Sequence, residues 1–217
     1  MMILKEKDFI ELDFVARDKE TKKIFDLTDE SLAKKEKLYN KDMSYGPVII
    51  CLGENQIIKG IDFFLIDKEI NKEYKVEIKP EDGFGKKDTK LLRLIPLKIF
   101  KKQNIVPFPG LQVNIDGLFG IVRTVSSGRS IVDFNHPLAG HWLIYDVKVN
   151  RLVTDDKEKV NSLFKFFLKN PEIDFNEGKL VIKSKIVEPI QKMLEEKIKN
   201  LVPNIKEIKF ENTKDKV

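Results

Sequence analysis

The chain has 217 residues, 35% of them charged and 41% hydrophobic, with 40 Lys and Arg against 35 Asp and Glu and a net charge of +5. A single Cys excludes an internal disulfide framework and a thiolate zinc cluster, and two His exclude a His-rich metal site. No apolar run reaches the ~18 residues of a membrane span, and Ile3 and Leu4 sit among Lys5, Glu6 and Lys7, unlike a secretory leader. The expectation is a soluble, cytoplasmic protein with no membrane partner, no metal and no cofactor. The length corresponds to about 1.4 typical domains, so one large unit or two to three small ones fit.

Phe9 to Arg17 alternates, with Ile10, Leu12, Phe14 and Ala16 on one face, and predicts a half-buried strand. A short strand follows over Lys23 to Asp26. Residues 31–42 are polar, a helical or irregular excursion ending at the Tyr45-Gly-Pro47 turn. Val48 to Leu52 is a continuous apolar strand closed by Gly53. The spacing of Ile57, Ile58, Ile61, Phe64 and Leu65 predicts a helix over 55–68. Lys72 to Ile78 alternates again and Pro80 ends it.

From Lys86 several short strands separated by Gly, Ser and Pro indicate a small β-rich module. Asn135 to Gly140 is a loop and Trp142 to Arg151 another alternating strand. The last third reads α-β-α-β: a helix over 155–168, a strand over 179–185, a helix opening at Pro189 and a strand over 205–210. The apolar helix positions Phe164, Phe167, Met193, Leu194 and Leu201 are expected in a core. Residues 212–217 are expected to fray.

No phosphate-binding loop, dinucleotide fingerprint, zinc-protease or nucleophile-elbow motif is present. His136 and His141 read as loop or packing histidines, and Cys51 as a buried inert thiol. An enzyme of this composition would need an apolar site.

One ordered set of segments makes that concrete. Cys51-Leu-Gly53 precedes a spacer and Ile57-Ile-Lys-Gly-Ile61, and a later strand runs into Pro80-Glu-Asp-Gly-Phe84-Gly85. This order resembles the FK506-binding-protein (FKBP) family of peptidyl-prolyl isomerases. Residues 10–26 are similar to its first two strands and Leu143-Ile-Tyr-Asp-Val147 to its last. The intervening 86–134, closed by Asn135-His-Pro-Leu-Ala-Gly140, looks like the chaperone insert of the SlyD subfamily. The resemblance covers about 8–152, and the remainder is similar to the extension of long archaeal members. SlyD's metal-binding tail is missing.

The resemblance implies an α+β fold, an antiparallel sheet wrapped on a short helix, with an inserted β-rich domain and a C-terminal α/β domain. The implied bounds are 1–86 plus 135–152, 87–134, and 153–217. It implies Asp26, Phe14, Phe84 and Tyr145 as catalytic residues. Phe25, Val48, Ile57, Ile58, Ile61 and Leu138 would bind substrate, with Ile61 as the floor and the Ile58 N–H bonding a substrate carbonyl. Family members often carry Tyr at the Phe14 and Phe84 positions. In the insert, Ile95, Ile99, Phe100, Ile105, Val106, Phe108, Leu118 and Phe119 are too many apolar residues for so small a core. They are expected to form a surface for unfolded chains, rimmed by Lys98, Lys101 and Lys102.

The implied substrates are unfolded or nascent polypeptides with X-Pro bonds. A homodimer through a C-terminal strand edge is a candidate assembly. Two rival readings remain open: a holdase with a vestigial isomerase pocket, and a nucleic-acid or ribosome-binding protein suggested by a pI near 9.0. The last lacks an aromatic-interleaved basic stretch and is the least supported.

Overall fold

A computed structural model of the chain describes residues 2–165, 172–176, 178–183 and 186–211. Among these residues it contains twelve strands and five α-helices. β1 (Phe9–Asp18) buries Ile10, Leu12 and Ala16 completely on one face. β2 (Ile24–Leu27) pairs antiparallel with its second half. Between them and the next strand runs α1 (Glu30–Lys35), whose first turn is capped by the Asp29 side chain accepting the Leu32 N–H. β3 (Val48–Cys51) pairs with the first half of β1. The gap left beside Phe14 is closed by Thr28, whose hydroxyl accepts the Phe14 N–H at 3.0 Å and donates to Asp13 at 2.8 Å.

The next helix, α2, covers only Lys59–Leu65, shorter than its apolar spacing predicts. The reason is local. Asn55 has φ +53°, and the buried Asp62 carboxylate accepts the N–H groups of Gly53 and Asn55 at 2.8 and 2.9 Å. Residues 53–58 are thereby pinned as a loop, so Ile57 and Ile58 precede the helix instead of lying on it. α2 packs on the sheet through Ile61 and Leu65. Gly60 permits the close approach: a Cβ there would lie 2.8 Å from two Ile78 methyl carbons. β4 (Glu73–Ile78) follows as an edge strand.

A second, four-stranded antiparallel sheet comes next. Its elements are β5 (Leu92–Pro96), α3 (Leu97–Lys102), β6 (Gln112–Ile115), β7 (Leu118–Ser126) and β8 (Arg129–Asp133), in the strand order β5-β8-β7-β6. α3 is a helix within a segment that the sequence reads only as β-rich. Pro96 ends β5 and stands in extended geometry as the helix N-cap. Phe100, expected on the surface, turns inward from α3 and is 1% exposed among Val113, Ile115, Val122 and Val132.

β9 (Leu143–Leu152) then returns to the first sheet between β1 and β4. The last third contains α4 (Asp156–Lys165), β10 (Glu172–Asn176), β11 (Lys179–Lys183), α5 (Glu188–Leu201) and β12 (Glu207–Glu211). β10, too short and half-exposed to stand out in the sequence, makes this sheet three-stranded, with β11 and β12 parallel. Phe164, Leu194 and Leu201 are buried there, whereas Met193, expected in the core, is 52% exposed. Phe167 and residues 212–217 lie outside the described residues. The unit's core includes Phe9 and Cys51 from β1 and β3, so it is docked on the outer face of the first sheet. No helix among the described residues is long and apolar enough to cross a membrane.

Candidate active site

The inner face of the first sheet, the 53–58 loop and the turn after β4 enclose a cavity of about 520 Å³. Seven of the residues singled out in the sequence line it: Phe14, Asp26, Val48, Ile57, Ile58, Phe84 and Tyr145. Strand alternation points Phe14 and Tyr145 inward from β1 and β9, with ring centroids 5.8 Å apart. Phe25 lies outside the lining but packs edge-on against Phe84 at 5.8 Å and Tyr145 at 6.1 Å. It braces both walls. Ile61 is sealed in the core at 0% exposure and does not form the floor. Its side chain projects from the buried face of α2. Leu138 is half-buried and does not line the cavity either.

Six further residues line the cavity that the sequence did not point to: Leu27, Thr28, Met43, Ser44, Ile50 and Gln56. Met43 and Ser44 come from the polar excursion, where no periodicity marks them. The Gln56 side-chain Oε1 accepts the Cys51 N–H at 2.6 Å, tying the 53–58 loop to β3. Among the described residues the Ile58 N–H has no hydrogen-bond partner. The loop therefore offers a donor beside two isoleucine side chains.

Asp26 is the one carboxylate in the lining. Burial raises its pKa above the ordinary value, and the Leu27 N–H opposes this in part. Burial likewise pushes the Tyr145 phenol up, with the Asp26 charge adding to it. His136 stacks flat on Phe84, centroids 4.3 Å apart at 4°. Its Nδ1 accepts the Leu138 N–H at 3.2 Å. His141 instead meets the buried Asp18 carboxylate.

A wider cleft of about 730 Å³ opens on the outer face of the same sheet. Its floor carries Asp13, Glu73, Lys75, Asp146 and Lys148, and Asp146 and Glu73 are engaged by Arg17 and Lys148. Phe14, Val15, Tyr45, Pro47, Tyr74 and Val147 also line it, so it differs from the inner cavity by the charged groups on its floor.

On the insert, Val106 is 82% and Phe119 78% exposed, and Phe108 and Leu118 are also exposed. Ile95, Ile99 and Ile105 are packed against its core, and Phe100 is buried within it, so these four are not part of the exposed face. Leu92, Leu94 and Ile131 are exposed as well, with Leu94 directly opposite Ile131 across β5 and β8.

Comparison with known proteins bears on this geometry. Residues 3–98 match the family model for FKBP-type peptidyl-prolyl cis-trans isomerases. Residues 93–138 match that for the IF (insert-in-flap) domain of FKBP26. The chain is 28% identical over 156 residues to a short-type peptidyl-prolyl cis-trans isomerase of Methanocaldococcus jannaschii, covering 72% of this chain and 98% of that protein. It is 29% identical over 108 residues to a probable FKBP-type 16 kDa peptidyl-prolyl cis-trans isomerase of Pseudomonas fluorescens, covering 48% of this chain and 71% of that protein. With SlyD of Pasteurella multocida it shares 25% identity over 107 residues, 48% of this chain and 53% of that protein. An aromatic-walled cavity on the inner sheet face, an insert between β4 and β9 and these matches agree: the chain is similar to the FKBP-type peptidyl-prolyl cis-trans isomerases over residues 3–98 and carries an insert-in-flap domain over residues 93–138.

Proposed function

We propose that the 520 Å³ cavity is where this chain isomerises X-Pro bonds of unfolded or nascent polypeptides, and that the insert holds those chains nearby. The observation that carries the reading is the convergence of Phe14, Val48, Ile57, Ile58, Phe84 and Tyr145 around a single carboxylate, Asp26.

The chemistry needed is modest. An X-Pro bond turns over slowly, in tens to hundreds of seconds, because rotation breaks amide resonance worth a barrier of ~18–20 kcal/mol. No covalent bond forms or breaks. The twisted amide has lost its charge separation, so an apolar, water-poor cavity favours it over the planar ground state. Catalysis is that difference in binding. Phe14 and Tyr145 would flank the prolyl ring. The Ile58 N–H would bond a carbonyl of the bound chain and fix the register. Asp26 would interact with the rotating amide or orient its polar neighbours.

Two assays test this. Cleavage-coupled isomerisation of a short X-Pro peptide and proline-limited refolding of an unfolded protein should both be accelerated. Phe14→Ala should lower both rates. Rates equal to those without the protein would leave only a holdase.

In this reading residues 1–86 with 135–152 form the isomerase domain, 87–134 the chain-holding domain and 153–217 a docked accessory unit. The exposed Val106, Phe108, Leu118 and Phe119 would bind client segments and raise their effective concentration at the cavity. Replacing Val106 and Phe119 by Ser should abolish suppression of client aggregation while leaving peptide isomerisation intact. A lone, deeply buried Cys51 suits a reducing compartment such as the cytoplasm. Val187, Ile190 and Met193 are exposed at the start of α5 and favour self-association through the C-terminal unit. Light scattering at micromolar concentration should then report a dimer; a strict monomer sinks that part.

A further inference from the structure

The insert leaves and rejoins the isomerase domain through two neighbouring segments, 85–91 and 134–140. At their base the Gly140 N–H donates to the Gly85 carbonyl at 2.8 Å, and both glycines have φ +82°. Glycine adopts that conformation at no steric cost and is otherwise free to rotate. Two glycines at the waist would let the insert swing.

One side chain closes the other end of the crossing. The Asn135 Oδ1 accepts the Asp88 N–H at 2.8 Å. Its Nδ2 donates to the Asp88 carbonyl at 3.0 Å and to Asp133 Oδ1 at 2.9 Å. Both amide hydrogens are used. A flipped amide would set its oxygen against a carboxylate and a carbonyl, so only one orientation is allowed. Asp133 is 4% exposed. It also accepts the Asn135 N–H at 3.0 Å and is gripped by Arg123 of β7 at 2.8 and 3.1 Å. The next residue, His136, is the one stacked on the cavity wall Phe84. A continuous set of bonds thus runs from the insert sheet, through Asn135, onto both crossing segments and the rim of the cavity.

We propose that Asn135 is a positioning residue that locks the two crossing segments together and so fixes the attitude of the insert's apolar face over the prolyl cavity. The structural half stands on the hydrogen bonds alone. The functional half rests on the reading of the insert as the domain that holds chains.

The test uses the full chain with distance probes on cysteines placed at Glu20 and Lys101, exposed sites on the isomerase domain and the insert. The unaltered chain should give one narrow distance distribution. Asn135→Ala should broaden it. Asn135→Asp should too, because it keeps the acceptor for the Asp88 N–H but loses both donors and faces Asp133 with a second charge. An unchanged distribution in both variants overturns the proposal. Kinetically, kcat/KM on a short X-Pro peptide should stay within about two-fold, while KM for an unfolded protein should rise about five-fold at constant kcat. Equal losses on both substrates would mean that Asn135 supports the cavity itself, and would also overturn it. Phe119→Ser separates the two readings. If it leaves KM for the unfolded protein unchanged, the chain-holding role fails, and the distance distributions still decide the clamp.

Discussion

Replacing Asp26 by Asn should make the protein a poorer isomerase and a more stable fold. The side chain keeps its shape and loses its charge. A hydrogen bond to a charged group contributes ~1.5–3 kcal/mol and a neutral one about 1, so the variant loses about 0.5–2 kcal/mol of interaction with the rotating amide. That is about 2- to 30-fold in kcat/KM. Stability should move the other way. Burial raises the Asp26 pKa above the ordinary 3.8, so the folded chain holds the proton more tightly than the unfolded one. Stability from this group is fully present below 3.8 and is lost as pH rises through the folded value. At neutral pH the wild-type carboxylate is therefore a cost that Asn removes. Peptide isomerisation at pH 7 and urea unfolding at pH 3 and pH 7 measure both effects. The variant should unfold at higher urea than wild type at pH 7 and at nearly the same urea at pH 3. Undiminished activity, or a deficit in stability that is the same at both pH values, would refute the reasoning.

Three further outcomes follow from the same geometry. Burial pushes the Asp18 carboxyl up, but the Thr21 N–H, His141 and the Thr21 hydroxyl outweigh it and hold its pKa at about 2. Full expression of that shift from 3.8 is about 2.4 kcal/mol; screening at the partly exposed His141 reduces it to about 1 kcal/mol. Asp18→Asn should cost about that much in urea unfolding above pH 5, and the deficit should vanish as pH falls from 3.8 towards 2. Cys51 has its thiol pushed up to about 12 by burial and by the Glu54 and Asp62 charges, so it should resist thiol reagents at pH 8. Phe164→Asp, which breaks the docking core of the C-terminal unit, should raise its labelling rate about ten-fold or more while peptide isomerisation persists. Gly60→Ala should cost about 1–3 kcal/mol in urea unfolding, because its Cβ would strike Ile78.

Much of the architecture is legible in alternation. Along most of β1, β4 and β9 the less exposed residue is every second one, a period of two that marks such strands whatever they pair with; Phe9 and Ile144 are buried on the other face as well. The ordered Leu-Gly, Ile-Ile-Lys-Gly and Gly-Phe-Gly segments carried the family. The site was less legible. Ile57 and Ile58 have helical spacing, yet they precede α2 because a carboxylate four to five residues downstream, Asp62, holds their loop. Phe100 and Phe119 are equal in composition and opposite in fate. Which one is buried depends on α3 turning onto the insert sheet, a choice no local pattern encodes. His141 reads as a loop or packing histidine in the sequence because its carboxylate partner, Asp18, lies 123 positions away in the chain.

By itself, then, the sequence determined what depends on near neighbours: the strands, the main helical segments, and the short β-rich insert that separates β4 from β9. Tertiary structure alone decided what depends on distant ones. It settled which aromatics face the cavity and which side chains stay bare on the insert. It seated the last third of the chain on Phe9 and Cys51. It also brought Asn135 onto Asp88 across the crossing. The division has a physical reason. Propensity and periodicity act over a few residues, whereas burial and hydrogen-bond satisfaction are properties of the closed chain.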